Sequence, residues 1–134
     1  MTNVVEYLLT SVKTKLDLDN VINLHGLNYQ DSHGESYLHE LSRKGNLELV
    51  VYLFDRKRTE KYNINLKNNL GRTALFDVLN EEIAEFLLLH QIDYKHKDNQ
   101  GKMAEEVNDY VNFCVNQKCN DTKKRILKSV YKLA

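Results

Sequence analysis

The sequence contains no proline in its 134 residues, so every reversal of the chain has to be made by Gly, Asn and Asp. Long apolar runs are missing as well. A stretch such as Phe86 to Leu89 falls far short of the roughly 20 residues that a membrane-spanning helix needs. Cysteine is scarce: Cys114 and Cys119 lie five residues apart, on or near a helix, which suits two free thiols in a reducing compartment better than a disulfide. Neither His90 nor His96 completes a zinc spacing with them, and no metal or other cofactor is expected. Net charge is also absent, with 19 Lys and Arg against 19 Asp and Glu, so no global field favours nucleic acid or an anionic membrane. The start of the chain, Met1 to Glu6, has neither a basic opening nor a continuous apolar stretch, and a cytoplasmic location is the expectation. What the chain does have is ordinary for a globular domain, 42% hydrophobic and 28% charged residues. Its length suits one domain that buries roughly two-thirds of its unfolded surface.

Internal periodicity organises the chain. Three tetrads end in glycine: Asp31-Ser32-His33-Gly34, Asn68-Asn69-Leu70-Gly71 and Asp98-Asn99-Gln100-Gly101. Their glycines are 37 and 30 residues apart, bracketing a repeat of about 33. Each tetrad reads as a tight turn opened by an Asx residue and closed by a Gly that tolerates positive φ. Helical patterns follow. Ser36 caps Tyr37-Leu38-His39-Glu40-Leu41, and Thr73 to Leu79 repeats that plan. Gly45 stops the first of these, and Leu47 to Phe54 supplies a second helix; Glu82 to Leu88 does the same in the next unit. Such a turn–helix–helix unit cannot bury its own apolar face and must stack on its neighbours.

The stretch from Asp31 to Phe54 resembles the ankyrin repeat. That family's pattern is an Asp-x-x-Gly turn, a Thr-Pro-Leu-His helix cap, a Gly in the helix link, and paired Val and Leu. Here the cap reads Ser36-Tyr37-Leu38-His39, the second helix carries Val50-Val51-Tyr52-Leu53, and Thr73-Ala74-Leu75-Phe76 is the matching cap of the next unit. The likeness covers residues from about 18 to 110, with Gly26 to Tyr29, Tyr62 to Asn65 and Gln91 to Tyr94 resembling the loops that lead the turns. It implies an all-α fold, a short ankyrin-repeat solenoid of about three repeats with helical caps at both ends. The divisions are 1–27 for the N-terminal cap, 28–65 and 66–94 for two repeats, and 95–134 for a degenerate repeat with the C-terminal cap.

Departures from the pattern are informative. The cap proline is replaced by Tyr37, Ala74 and Ala104. The first repeat carries an extra basic stretch, Asp55 to Lys61, and the second has lost about three residues between its helices, including the Gly. Glu105 stands where the family has an apolar leucine, as suits a terminal unit with one face in water. At the ends, Val4 to Lys15 and Leu18 to Leu24 read as an amphipathic pair, and Val111 to Val115 and Ile126 to Leu133 as closing helices, for six to eight helices and essentially no sheet.

For function, catalysis has little to stand on. Ser36, His39 and Glu40 are close in sequence, but this His fills the cap position that the resemblance makes structural. Phosphate loops, paired-His metal motifs and nucleophile elbows are all missing. The resemblance implies protein binding through the turn tips and the concave side of the first helices. On this chain those positions are His33, Glu35, Asn69, Leu70, Arg72, Asn99, Gln100 and Lys102 at the turns, and Glu40, Arg43, Lys44, Asp77, Asn80 and Glu81 on the concave side. From Thr73 to Tyr94 there are five acids and no Lys or Arg, with basic segments on both flanks. Glu40 and Asp77 each lie six residues after their turn glycine, so stacking puts them on one acidic strip that suits a basic partner. The leading expectation is a monomeric stoichiometric inhibitor or adaptor that binds another protein, such as an immunity protein neutralising a toxin. The alternative is a microbial or viral mimic of a host regulator resembling inhibitors of NF-kappa-B-type transcription factors. Nucleic-acid binding through the basic C-terminal helix is a third, weaker reading, and no membrane association is expected.

Overall fold

In a computed structural model, residues 12–54 and 62–116 are described. They form six α-helices and one 3₁₀ helix: α1 (Lys15–His25), α2 (Tyr37–Lys44), α3 (Leu47–Leu53), the 3₁₀ helix Ala74–Asp77, α4 (Glu81–Leu89), α5 (Ala104–Val107) and α6 (Asp109–Asn116). Among the described residues there is no β-strand beyond one isolated bridge between Lys97 and Met103, so the described fold is all-α. No described helix is long and apolar enough to cross a membrane.

Local chemistry fixes the helix ends. Thr14 and Asp17 form a reciprocal capping box at the start of α1, each side chain bonding the other's backbone N–H at 3.1 Å. This box shifts the expected boundary: Val12 to Thr14 are not helical and Lys15 opens α1, while the rest of the helix expected over Val4 to Lys15 lies outside the described residues. Ser36 caps α2 as the sequence predicts, and Gly45 ends it in the left-handed region at φ 72°. Asparagine opens the helix that follows each inner turn of structure. Asn46, Asn80 and Asn108 each accept a bond from the N–H three residues on, at 3.1, 2.9 and 3.3 Å.

The elements pack in two rows. The inner row runs α2, the 3₁₀ helix and α5; the outer row runs α1, α3, α4 and α6, with α2 also against α3 and α5 against α6. Between the rows lie Leu18, Tyr37, Leu38, Leu41, Leu49, Leu53, Leu75, Ile83, Phe86 and Leu87, all essentially inaccessible to solvent. The Tyr37 hydroxyl offsets its burial by sharing its one proton between the Gly26 carbonyl at 2.8 Å and the Val21 carbonyl at 3.1 Å. Burial pushes that hydroxyl's pKa up to about 12.

One expected helix is cut short. Thr73 to Leu79 yields only the four-residue 3₁₀ helix, and Val78 is extended. From the turn glycine to the second helix there are 13 residues in the first unit (Gly34 to Leu47) and ten in the second (Gly71 to Glu81). With three residues fewer, the chain has to leave the helix early. Its freed backbone groups are satisfied from neighbouring units: Leu79 N–H donates to the Ser42 carbonyl at 3.1 Å, and Asn108 Nδ2 donates to the Phe76 and Val78 carbonyls at 3.1 and 3.0 Å. Thr73 stands in the cap position but its buried hydroxyl makes no capping bond, unlike that of Ser36. Ile126 to Leu133, the insertion Asp55 to Lys61 and Cys119 lie outside the described residues, while Cys114 is buried in α6.

Candidate interaction surface

The three glycine-closed tetrads share one hydrogen-bond pattern. In each, the Asx side-chain oxygen accepts from the N–H groups two and four residues on. For Asp31 these are His33 and Glu35, for Asn68 Leu70 and Arg72, and for Asp98 Gln100 and Lys102, all at 2.9–3.1 Å. In each, the Asx N–H also donates to the carbonyl four residues on, and the glycine N–H donates back to the Asx carbonyl, at 2.8–3.0 Å. The glycines have φ of 76°, 75° and 78°, a region that an L side chain rarely adopts.

The turns are also bonded to one another. Asn69 N–H donates to the His33 carbonyl and its Nδ2 to the Ser32 carbonyl; Asn99 repeats this on Leu70 and Asn69, all at 2.9–3.0 Å. His39 ties a helix to the next turn. Its Nδ1 faces Ser36 N–H at 3.2 Å and Ser36 Oγ at 2.8 Å, and its Nε2 bonds the Arg72 carbonyl at 2.8 Å. Donation from Nε2 with acceptance at Nδ1 satisfies all three contacts. In this arrangement the third member of the Ser36, His39, Glu40 group is elsewhere, because Glu40 bonds Arg43 and Lys44. His96, in the loop before the third turn, ties back to the second turn, its Nε2 bonding the Gly71 carbonyl at 2.8 Å.

Charged side chains converge on the inner row. The Arg43 guanidinium lies 3.0 Å from Glu35, 3.1 Å from Glu40 and 3.2 Å from Asp77, so residues from the first turn, α2 and the 3₁₀ helix meet at one cation. Burial alone would lower the Arg43 pKa, but the Glu35 and Asp77 carboxylates outweigh it and raise the value. Lys44 lies 3.8 Å from Glu40. Three acids against two cations leave a surplus of negative charge at this cluster.

The remaining predicted contact residues divide by what already occupies them. Asn80 is spent on capping α4, and Asn69 and Asn99 on joining the turns. Arg72 is clasped to Asp98 at 3.0 Å and lies over the Phe76 ring. Glu81 opens α4, where the Cys114 thiol approaches its carbonyl at 3.8 Å. His33, Gln100 and Lys102 are exposed at the turns, and Leu70 is 60% exposed. The Arg43 clasp between Glu35 and Asp77 was not foreseen, although Arg43 was among the predicted residues; the equal spacing of Glu40 and Asp77 from their turn glycines was its only sequence signal. No family model and no curated protein matches the chain.

Proposed function

We propose that the chain is a short ankyrin-type repeat protein that works by binding another protein, and that the surface around Glu35, Glu40 and Asp77 docks a cationic partner. The observation that carries this reading is the threefold recurrence of one turn with the same internal bonds, joined by the same pair of bonds at both junctions between turns. Stacked identical units turn equivalent positions into a continuous surface, which is what such architectures offer a partner. On this chain the continuous inner surface carries carboxylates in excess over Arg43 and Lys44. A basic protein would be steered to it and oriented by it. A stoichiometric inhibitor or adaptor fits this chemistry, and its sharpest form is an immunity protein that blocks a cationic toxin such as a nuclease.

The test is a tagged pulldown from native lysate, washed at moderate salt, with bound proteins identified by mass spectrometry. A single stoichiometric basic partner, released by Glu40→Lys with Asp77→Lys, supports the reading. Undiminished binding by that double variant removes the acidic face from it. A transcription regulator of a host as the retained partner would favour mimicry over immunity.

A further inference from the structure

The turn edge carries a second, oppositely charged surface. Lys67 and Lys97 fill the same register position in consecutive turns, each directly before the Asx residue, and Lys102 follows the last turn glycine. All three are exposed, and none makes an ion pair with any described residue. Arg43, Lys44 and Arg72 differ in this respect, since each is held by a carboxylate. The acids of this edge are already engaged. Asp98 is buried under bonds from Gln100 N–H, Lys102 N–H and Arg72, Asp31 accepts two backbone N–H groups, and Glu35 holds Arg43 and Asn68.

Leu70, at the tip of the turn that Lys67 precedes, is 60% exposed. Its backbone is fixed on both sides: its N–H donates to Asn68 Oδ1 and its carbonyl accepts from Asn99 N–H, each at 3.0 Å. An exposed apolar side chain on a bonded backbone, on an edge that also carries these lysines, offers a partner an apolar contact beside a charged rim. The backbone that carries Leu70 needs no ordering when a partner arrives.

We propose that this edge docks an acidic protein segment that carries an apolar pocket or side chain for Leu70. The proposal rests on the protein-binding reading above, but not on the acidic face. Carboxylates of the partner meet Lys67, Lys97 and Lys102, and Leu70 sets the register. A nucleic acid would satisfy the lysines but would leave Leu70 unused, because an aliphatic side chain offers no stacking face to a base.

The test uses the full chain and fluorescence polarisation at low salt with three labelled probes: a peptide of alternating Glu and Leu, an all-Glu peptide of equal length, and oligothymidylate. The Glu–Leu peptide is expected to bind best. Combining Lys67→Glu, Lys97→Glu and Lys102→Glu weakens it by about tenfold or more. Leu70→Ser abolishes its advantage over the all-Glu peptide, and Glu40→Lys with Asp77→Lys does not weaken it. Circular dichroism and urea unfolding establish that each variant is folded. Failure of the Glu–Leu peptide to bind, an advantage that survives Leu70→Ser, or oligothymidylate bound as tightly as the peptide would each overturn the proposal. Any of these leaves the acidic-face reading standing, because that reading is judged by release of a basic partner.

Discussion

At the scale of single residues, the turn glycines separate two costs that usually come together. Gly34 and Gly101 have nearly equal φ, 76° and 78°, so alanine at either site carries the same left-handed penalty of about 1–2 kcal/mol. Of these two, Gly34 is the covered one. A Cβ there would lie 2.8 Å from Asn68 Cα and Asn69 N, which are backbone atoms of the next turn, whereas one on Gly101 meets no described atom within 4 Å. Gly34→Ala is therefore expected to lower the urea-derived stability by about 1 kcal/mol or more beyond Gly101→Ala. Equal losses would mean that the turns are not in contact. Asp98 offers a pH-dependent test at the same scale. Its carboxyl pKa is held below the usual value, first by the Lys102 N–H and also by Arg72 and the Gln100 N–H, against a smaller opposing effect of burial. A lowered folded value means that this stabilisation is complete above the unfolded pKa of about 3.9 and is lost as pH falls through the folded one. Asn68 makes the same turn with a neutral side chain. Asp98→Asn should therefore keep the turn but lose the charged bond from Arg72. The expected result is a lower urea midpoint at neutral pH and a shallower loss of stability on acidification below about pH 4.

Between elements, the Arg43 clasp is what joins α2 to the 3₁₀ helix in charge as well as in packing. The guanidinium is nearly half exposed, so its three ion pairs stabilise weakly, and Arg43→Ala is expected to cost only about 0.5–1 kcal/mol. The same change leaves Glu35, Glu40 and Asp77 facing one another without their shared cation. A basic partner should then bind faster at low salt, and stopped-flow association rates across salt concentrations would show it. A slower rate would mean that Arg43 itself contacts the partner. How much of this was legible in sequence depended on range. Asx-x-x-Gly turns, the Ser36 cap and the Gly45 stop are local devices, and each appears where its residues predict it. The shortened 3₁₀ helix was not legible, because the groups that satisfy its backbone, the Ser42 carbonyl and the Asn108 amide, come from neighbouring units. Register alone was enough to align Glu40 with Asp77. It gave no warning that Asn69, Asn99 and Asn80 would be consumed by structure, since an amide looks the same in sequence whether it faces a partner or a carbonyl.

Across the described residues, stability should vary along the chain, because the main contacts between elements join consecutive units. The central unit is joined on both sides: Asn69 bonds back to the first turn, Asn99 bonds back to the second, and His39 and His96 add two further ties to the Arg72 and Gly71 carbonyls. Leu75 lies at its centre and is fully buried. Leu75→Ala should cost about 2–5 kcal/mol and weaken amide protection throughout the described helices, since both neighbours lose the unit they pack on. Val111 in α6 is equally buried, but its helix packs mainly on α4 and α5. Truncating it to alanine removes a smaller apolar contact at the far end of the described stack. Hydrogen exchange should then show α6 opening first while the Asp31 to Gly34 turn keeps its protection. Uniform loss of protection from both variants would show that the units unfold as one and that their coupling exceeds what the bonds between neighbouring turns supply. A graded response would mean that the inner surface can loosen at its far end while Glu35, Glu40 and Asp77 stay in register, held by Arg43 and by the two turns that flank them.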